Sequence, residues 1–201
     1  GAQQVFDTIE GNKMRVVSVI GDSTFFHTGI NSLLDVAYNK SNLVTVVLDN
    51  RITAMTGQQD NPGTGLTIQG EITEAVSIEA IVRAFGFKNV RVIDPNQLNQ
   101  VKEALDWALG LQEPSVIITR WPCALKKQTA LDKEEFKGSF TSVYWVNEEV
   151  CIGCKKCTRT GCPAIVFQFA KKKSSIDPEK CVGCSVCAQV CPVHAIQKVE
   201  A

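Results

Sequence analysis

Eight of the nine cysteines fall between Cys151 and Cys191, in two copies of one run offset by thirty residues: CIGCKKCTRTGCP from Cys151 and CVGCSVCAQVCP from Cys181. Each copy is C-x2-C-x2-C followed by a fourth Cys and a Pro. A stretch built this way must be held together by disulfides or by metal. A secreted disulfide scaffold is short throughout and follows a signal peptide, whereas here residues 1–120 are apolar, α/β-looking sequence. Metal-bound thiolates in a reducing compartment fit better. Zinc knuckles want four ligands as two separated pairs, which neither the triple run nor the trailing Cys-Pro supplies. Two-residue gaps let the chain curl so that three thiolates face one centre, with Gly153 and Gly183 keeping the backbone close. Pro163 and Pro192 fix φ after the fourth cysteine and remove an amide that would need a partner.

The second run, with three residues between Cys187 and Cys191, resembles that of bacterial ferredoxins; the first has four residues between Cys157 and Cys162. The resemblance implies a small α+β two-cluster ferredoxin-like domain over residues 148–201. It also implies that the fourth cysteine of each run crosses to the other 4Fe-4S cluster. Cys151, Cys154, Cys157 and Cys191 would hold one cluster, and Cys181, Cys184, Cys187 and Cys162 the other, as an electron conduit. Cys123 stands apart and reads as a small apolar filler. His194 reads as structural, since eight thiolates already fill both sites.

Ahead of the cysteines, the runs 15–20, 43–49, 89–93 and 115–119 are continuous and apolar, the pattern of parallel strands covered on both faces. Helices are expected between them: 29–38, with Ile30, Leu33, Leu34 and Ala37 inward; a helix capped by Ser77, carrying Ile78, Ile81, Val82 and Phe85; and 97–109, with Leu98, Val101, Leu105 and Leu109, stopping at Gly110. This alternation predicts a doubly wound α/β domain over residues 1–120, with its ligand site at the carboxyl ends of the strands. A composition of 44% hydrophobic and 21% charged residues supports a real core. Residues 50–70, with four glycines and a proline, form a loop too long to be idle. Residues 121–147 read as a connector.

Gly21-Asp22-Ser23 ends the first strand and Asp49-Asn50-Arg51 the second, with 25 residues between the triplets. Singly these are a helix-capping carboxylate and a turn residue. In this placement they resemble the thiamine diphosphate motif, which runs GDG and then NN, although Ser23 stands for the third glycine and Asp49 for the first asparagine. A diphosphate needs a hard divalent cation and backbone amides at a helix start. The resemblance implies Mg2+ held by Asp22, Asn50 and the Ile52 carbonyl, with the amides around Gly21, Ser23 and Thr24 facing the phosphates. Ala54-Met55-Thr56-Gly57-Gln58-Gln59 resembles the MTGGQ loop of 2-oxoacid:ferredoxin oxidoreductases, which implies that Met55 and Thr56 line the diphosphate and reacting ring.

Together, GDSTFFHTG, DNRITAMTGQQDNPGTG, WPCAL and the double-cluster domain are similar, in that order, to the C-terminal third of the large (α) subunit of indolepyruvate ferredoxin oxidoreductases. The resemblance implies conversion of an aryl 2-oxoacid, CoA and oxidised ferredoxin into aryl-acetyl-CoA, CO2 and reduced ferredoxin in a cytoplasmic, anaerobic setting. It places His27 facing the site; a helix-start histidine with a backbone partner is the other reading. Phe25 and Phe26 read as either an aromatic wall or core. The chain opens at Gly1 without an initiator Met, and the family's activating glutamate belongs to a separate pyrimidine-binding domain. The remaining domains of the α subunit and a smaller β subunit are therefore expected as partners, and the chain alone is not expected to turn over. A pyruvate or branched-chain oxidoreductase and a non-catalytic electron-transfer module are the competing classes.

The formal charge is zero and the pI near neutral, which argues against a nucleic-acid binder. No apolar run reaches the roughly 18 residues of a membrane span. The zero is a cancellation: residues 1–120 hold 9 Lys plus Arg against 13 Asp plus Glu, and residues 121–201 hold 12 against 8. Lys155, Lys156 and Arg159 lie within the first cysteine run and Lys171 to Lys173 between the runs. They are expected either to offset cluster charge or to form a basic rim for an acidic soluble ferredoxin.

Overall fold

The computed structural model describes residues 1–11, 14–137 and 140–199. Contacts divide the chain into two units, residues 1–131 and 132–201.

The first unit opens with helix α1 (Ala2–Asp7) and strand β1 (Val17–Gly21), then turns helical at once: a short turn α2 (Asp22–Thr24), a π-helical turn (Phe25–Gly29) and helix α3 (Ile30–Tyr38). Strand β2 (Val44–Asp49), helix α4 (Ile78–Ala84), strand β3 (Asn89–Ile93), helix α5 (Leu98–Gly110) and strand β4 (Ser115–Arg120) follow. The four strands are all parallel in the order β1-β2-β4-β3. The chain passes over the place of β4 to lay down β3 and then returns, so the crossover skips a strand. In such sheets the crevice at the carboxyl ends is where ligands bind.

Strand periodicity explains the two covered faces. Alternate residues point to opposite sides, so Val116 and Ile118 join Val47, Val90, Phe25, Leu33, Ile78 and Val82 under α3 and α4. Ile117 joins Val44, Val46, Ala104 and Ala108 under α5. Ser77 caps α4 as expected, its hydroxyl accepting from Ala80 N at 3.2 Å. Expected core positions are corrected: Leu34 and Leu109 are exposed, as are Val17 and Val19 of edge strand β1, Leu48 of β2 and Val92 of edge strand β3, and α5 buries Ala104 and Ala108, with Leu105 packed beside them. Small residues there bring the helix axis close to the sheet and turn Leu109 away. The helix expected from residue 29 starts seven residues earlier, directly off β1, with Asp22 in its first turn, where the helix dipole favours an acid.

The 50–70 loop is organised. Isolated bridges join Thr53 with Gln59 and Leu66 with Ile72, and Thr64 is buried. The stretch 121–147 is shared between the units. Helix α6 (Ala130–Glu135) crosses the division, and β5 (Tyr144–Val146) belongs to the second unit's sheet.

The second unit repeats itself. Its first half holds β5, a 3-10 turn (Cys157–Thr160) and β6 (Ile165–Gln168); its second holds β7 (Lys173–Ile176), helix α7 (Val186–Gln189) and β8 (Ile196–Lys198). β5 pairs antiparallel with β8, and β6 with β7. Gly153 and Gly183 occupy matching places at φ +68° and +71°, and a Cβ on either would overlap a backbone carbonyl oxygen, that of Lys172 or Ser142. Only glycine fits both constraints. Among the described residues no helix is long and apolar enough to cross a membrane.

Candidate cofactor and cluster sites

At the carboxyl ends of β1 and β2 the chain makes two abrupt exits side by side, since Gly21 lies in register with Leu48. Asp22 leaves β1 buried, 3% exposed. Its Oδ1 accepts from Ser23 N at 2.8 Å and its Oδ2 from Asn61 Nδ2 at 3.1 Å. Burial pushes its carboxyl above the usual range; hydrogen bonds from Asn61, Ser23 and Ile52 oppose the shift, and Asp49 adds to it. A nearby cation would relieve that cost. On the β2 side, Asn50 Oδ1 accepts from Ile52 N at 3.1 Å, forming a tight turn, and Ile52 is buried. The Ile52 N–H thus links the Asp22 carboxylate to the Asn50 turn, and a carboxylate, an amide oxygen and a backbone carbonyl are hard oxygen donors of the kind that Mg2+ takes.

Asp49, at the place of the motif's first asparagine, serves as a strap. It is 4% exposed, and its Oδ2 meets Arg120 Nε at 2.8 Å while Oδ1 lies 3.6 Å from Arg51 Nε. Residues 121–126, read as connector, pin the same turn. Trp121 N donates to Asp49 O at 3.0 Å, Cys123 N to Asn50 O at 2.9 Å, and the buried Lys126 ammonium to Arg51 O at 3.1 Å. Arg51 sits at φ +60°, a conformation that needs such support in a non-glycine residue.

Ser23, the other departure from the motif, hydrogen-bonds Thr53 Oγ1 through its hydroxyl at 2.8 Å. Met55 and Thr56 stand at the tip of the Thr53–Gln59 turn, with Met55 98% exposed; Thr56 Oγ1 donates to Gln59 Oε1 at 2.6 Å. Thr24 and His27 are exposed on the helical turns after Asp22, and His27 is not the buried, partnered histidine of the other reading. Phe25 is core. Phe26 packs edge-on against it, with ring centroids 5.5 Å apart.

In the second unit, Cys151, Cys154, Cys157 and Cys191 line one cavity with Val146, Ile152, Ser174 and Ala195. Cys162, Cys181 and Cys184 crowd Cys187, whose thiol is pushed up to about 12, first by burial and then by those three neighbours. A cluster's iron removes such a penalty, because it binds the thiolate directly. Both groupings contain the fourth cysteine of the opposite run, so the residues fit two clusters with crossed ligands. His194 is exposed at φ +53° and its N–H donates to Cys191 O.

Comparison with known proteins agrees with both units. Residues 1–119 match the thiamine pyrophosphate enzyme family through its C-terminal TPP binding domain. The chain belongs to that family. In this family member, residues 144–198 match a 4Fe-4S dicluster domain. Over 94% of its length it is 46% identical to the indolepyruvate oxidoreductase subunit IorA of Pyrococcus horikoshii, and over 99% it is 44% identical to that of Pyrococcus abyssi. It spans 28% and 30% of those two proteins, less than a third of each. Among solved structures, a 2-oxoglutarate:ferredoxin oxidoreductase from Magnetococcus marinus superposes with a TM-score of 0.50 at 16% identity, covering 59% of this chain and 44% of its own, which shows a shared fold.

Sequence reasoning missed Asn61, Thr53 and Lys126. Asn61-Pro62-Gly63 is a legible turn signature. The reach of its amide to a carboxylate 39 residues away is tertiary and leaves no local trace.

Proposed function

We propose that this chain supplies the diphosphate-binding and electron-delivering parts of a 2-oxoacid:ferredoxin oxidoreductase whose substrate is an aryl 2-oxoacid of the indolepyruvate kind. One observation carries the reading: an acid–amide metal turn at the ends of β1 and β2 and two four-cysteine groupings share one chain, 46% identical over most of its length to a protein named for indolepyruvate oxidoreduction.

The Asp22 carboxylate, the Asn50 side-chain oxygen and the Ile52 carbonyl would hold Mg2+. The N–H groups at the start of the helix, around Gly21, Ser23 and Thr24, face the diphosphate. Met55 and Thr56 line the cofactor, and exposed His27, five residues beyond Asp22, is the candidate acid–base group toward substrate. Thiamine diphosphate, when bound, supplies the carbanion chemistry by which a 2-oxoacid loses CO2 and gives up two electrons. Cys151, Cys154, Cys157 and Cys191 would hold one 4Fe-4S cluster, and Cys162, Cys181, Cys184 and Cys187 the other. Overall, an aryl 2-oxoacid, CoA and two oxidised ferredoxins give aryl-acetyl-CoA, CO2, a proton and two reduced ferredoxins. The partners are the rest of a longer α subunit, a smaller β subunit and a soluble ferredoxin, in the cytoplasm of an anaerobe. The cofactor domain takes in residues 1–120 with the strap 121–126, and the cluster domain residues 148–201 with β5 before it.

The test is a panel of 2-oxoacids with the complete enzyme, CoA and a viologen acceptor. Indolepyruvate and phenylpyruvate are expected to outpace pyruvate and branched-chain acids; strong preference for pyruvate overturns the substrate. Failure to bind thiamine diphosphate with Mg2+ in calorimetry overturns the enzyme reading and leaves an electron-transfer module.

A further inference from the structure

The two cysteine groupings are related by the thirty-residue repeat, yet their surroundings differ. Among the described residues each grouping receives one backbone hydrogen bond to sulfur: Ala195 N donates to Cys191 Sγ at 3.3 Å, and Tyr144 N to Cys181 Sγ at 3.4 Å. The first grouping has a further partner. Ser174, 2% exposed, holds its hydroxyl 3.3 Å from Cys157 Sγ. Once that sulfur is a cluster thiolate with no proton to give, the hydroxyl becomes the donor. The repeat puts Tyr144 at the matching position beside the second grouping. Among the described residues no side-chain hydroxyl bonds to Cys162, Cys181, Cys184 or Cys187.

A second difference is charge. The Lys173 ammonium donates to the Cys151 carbonyl, where the repeat puts Val143. A third is an open edge: Cys154 alone of the eight repeat cysteines is exposed, although Cys151 and Cys157 of the same grouping are buried, as Cys187 is in the second. Hydrogen bonds to sulfur, positive charge and solvent access each stabilise the extra electron of a reduced cluster and raise its potential.

The surface follows the same asymmetry. Around Cys154, Lys156, Arg159 and Lys172 are exposed and form no ion pair among the described residues, and Lys155 lies over the Phe167 and Phe169 rings at 4.3 and 5.0 Å. Exposed Ile152 and Phe169 supply apolar contact between these cations. Lys171, expected in the rim, is instead bound to Glu148 at 2.9 Å. On the second half, Lys180 is held by Asp177 at 2.8 Å.

We propose that Cys151, Cys154, Cys157 and Cys191 hold the higher-potential cluster, with Ser174 as its tuning residue, and that electrons leave through it to a small acidic iron–sulfur carrier docked on Lys155, Lys156, Arg159 and Lys172. Electrons pass singly from the second cluster to the first and then to the carrier; no bond forms or breaks. The proposal rests on the cluster assignment above and adds the direction of flow and the docking face.

Two measurements on the complete enzyme test it. In a redox titration followed by electron paramagnetic resonance, Ser174→Ala is expected to lower the upper of the two cluster midpoints and narrow the gap, while Ser174→Thr, which keeps the hydroxyl, preserves it. An unchanged gap in Ser174→Ala overturns the tuning role. In stopped flow, enzyme reduced chemically with titanium(III) is mixed with an oxidised, net-negative two-cluster ferredoxin, so the result does not depend on the substrate. The rate is expected to fall as salt rises. Lys156→Glu and Lys172→Glu, with cluster signals intact, are expected to slow ferredoxin reduction several-fold relative to methyl viologen reduction, and to flatten the salt response. A flat response in the parent enzyme, or equal slowing by Lys180→Glu, overturns the docking face.

Discussion

Replacing Asp49 with asparagine restores the amide that the thiamine diphosphate motif carries at this place, so a motif-based argument expects no harm or a gain. The structure predicts the reverse. Asp49 is 4% exposed and faces the guanidinium of Arg120, itself 17% exposed, at 2.8 Å, with Arg51 at 3.6 Å. Removing one partner of a buried ion pair costs about 3–5 kcal/mol. Asparagine keeps one acceptor oxygen and Arg120 retains some water, so about 2–3 kcal/mol is expected here. At about 4 °C per kcal/mol for a unit of this size, that lowers the first unit's unfolding midpoint by about 8–12 °C. Calorimetry on Asp49→Asn, Arg120→Gln and the double variant would show it. The double loss should be smaller than the sum of the single losses, because both remove the same pair. An Asp49→Asn protein as stable as its parent, or fully additive losses, would refute the strap.

Three further outcomes follow from the same geometry. Asn61→Ala removes the amide holding Asp22 Oδ2 and should weaken Mg2+-dependent thiamine diphosphate binding about 10- to 100-fold in calorimetry, the usual range for residues that orient metal ligands. Lys126→Met leaves the Arg51 carbonyl without its buried donor; a stability loss of about 1–3 kcal/mol in urea melts is expected, accompanied by weaker cofactor binding. Gly153→Ala or Gly183→Ala forces a Cβ into a backbone carbonyl, and either variant should retain markedly less iron and acid-labile sulfide after anaerobic purification; full iron content would contradict the close approach.

Some of this molecule could be read residue by residue. The four apolar strands and the cap at Ser77 are local patterns, because strand periodicity and capping chemistry act over a few residues. The cysteine runs carry their own spacing, so the dicluster domain is legible in the sequence alone. What stayed hidden depends on contacts across the fold. On α5, Leu105 packs on the core as its spacing predicts, but Leu109 is exposed and the fully buried positions are Ala104 and Ala108, because helix approach to a sheet rewards small side chains there. Residues 121–126 looked like connector since backbone N–H groups donating to Asp49 and Asn50 have no sequence signature. The organisation of the 50–70 loop rests on backbone hydrogen bonds between Thr53 and Gln59, which no side-chain pattern encodes.

The strand pairing of the second unit has a consequence for assembly. Each two-stranded sheet takes one strand from each half of the repeat, β5 with β8 and β6 with β7, and each cysteine grouping borrows its fourth member from the other half. The halves are therefore not beads that mature one after the other. Neither can close its sheets or complete its thiolate set alone, so loading iron into one side organises the other. A partly filled domain should be scarce beside empty and full ones, and a second unit broken off between β6 and β7 would have no finished part to keep.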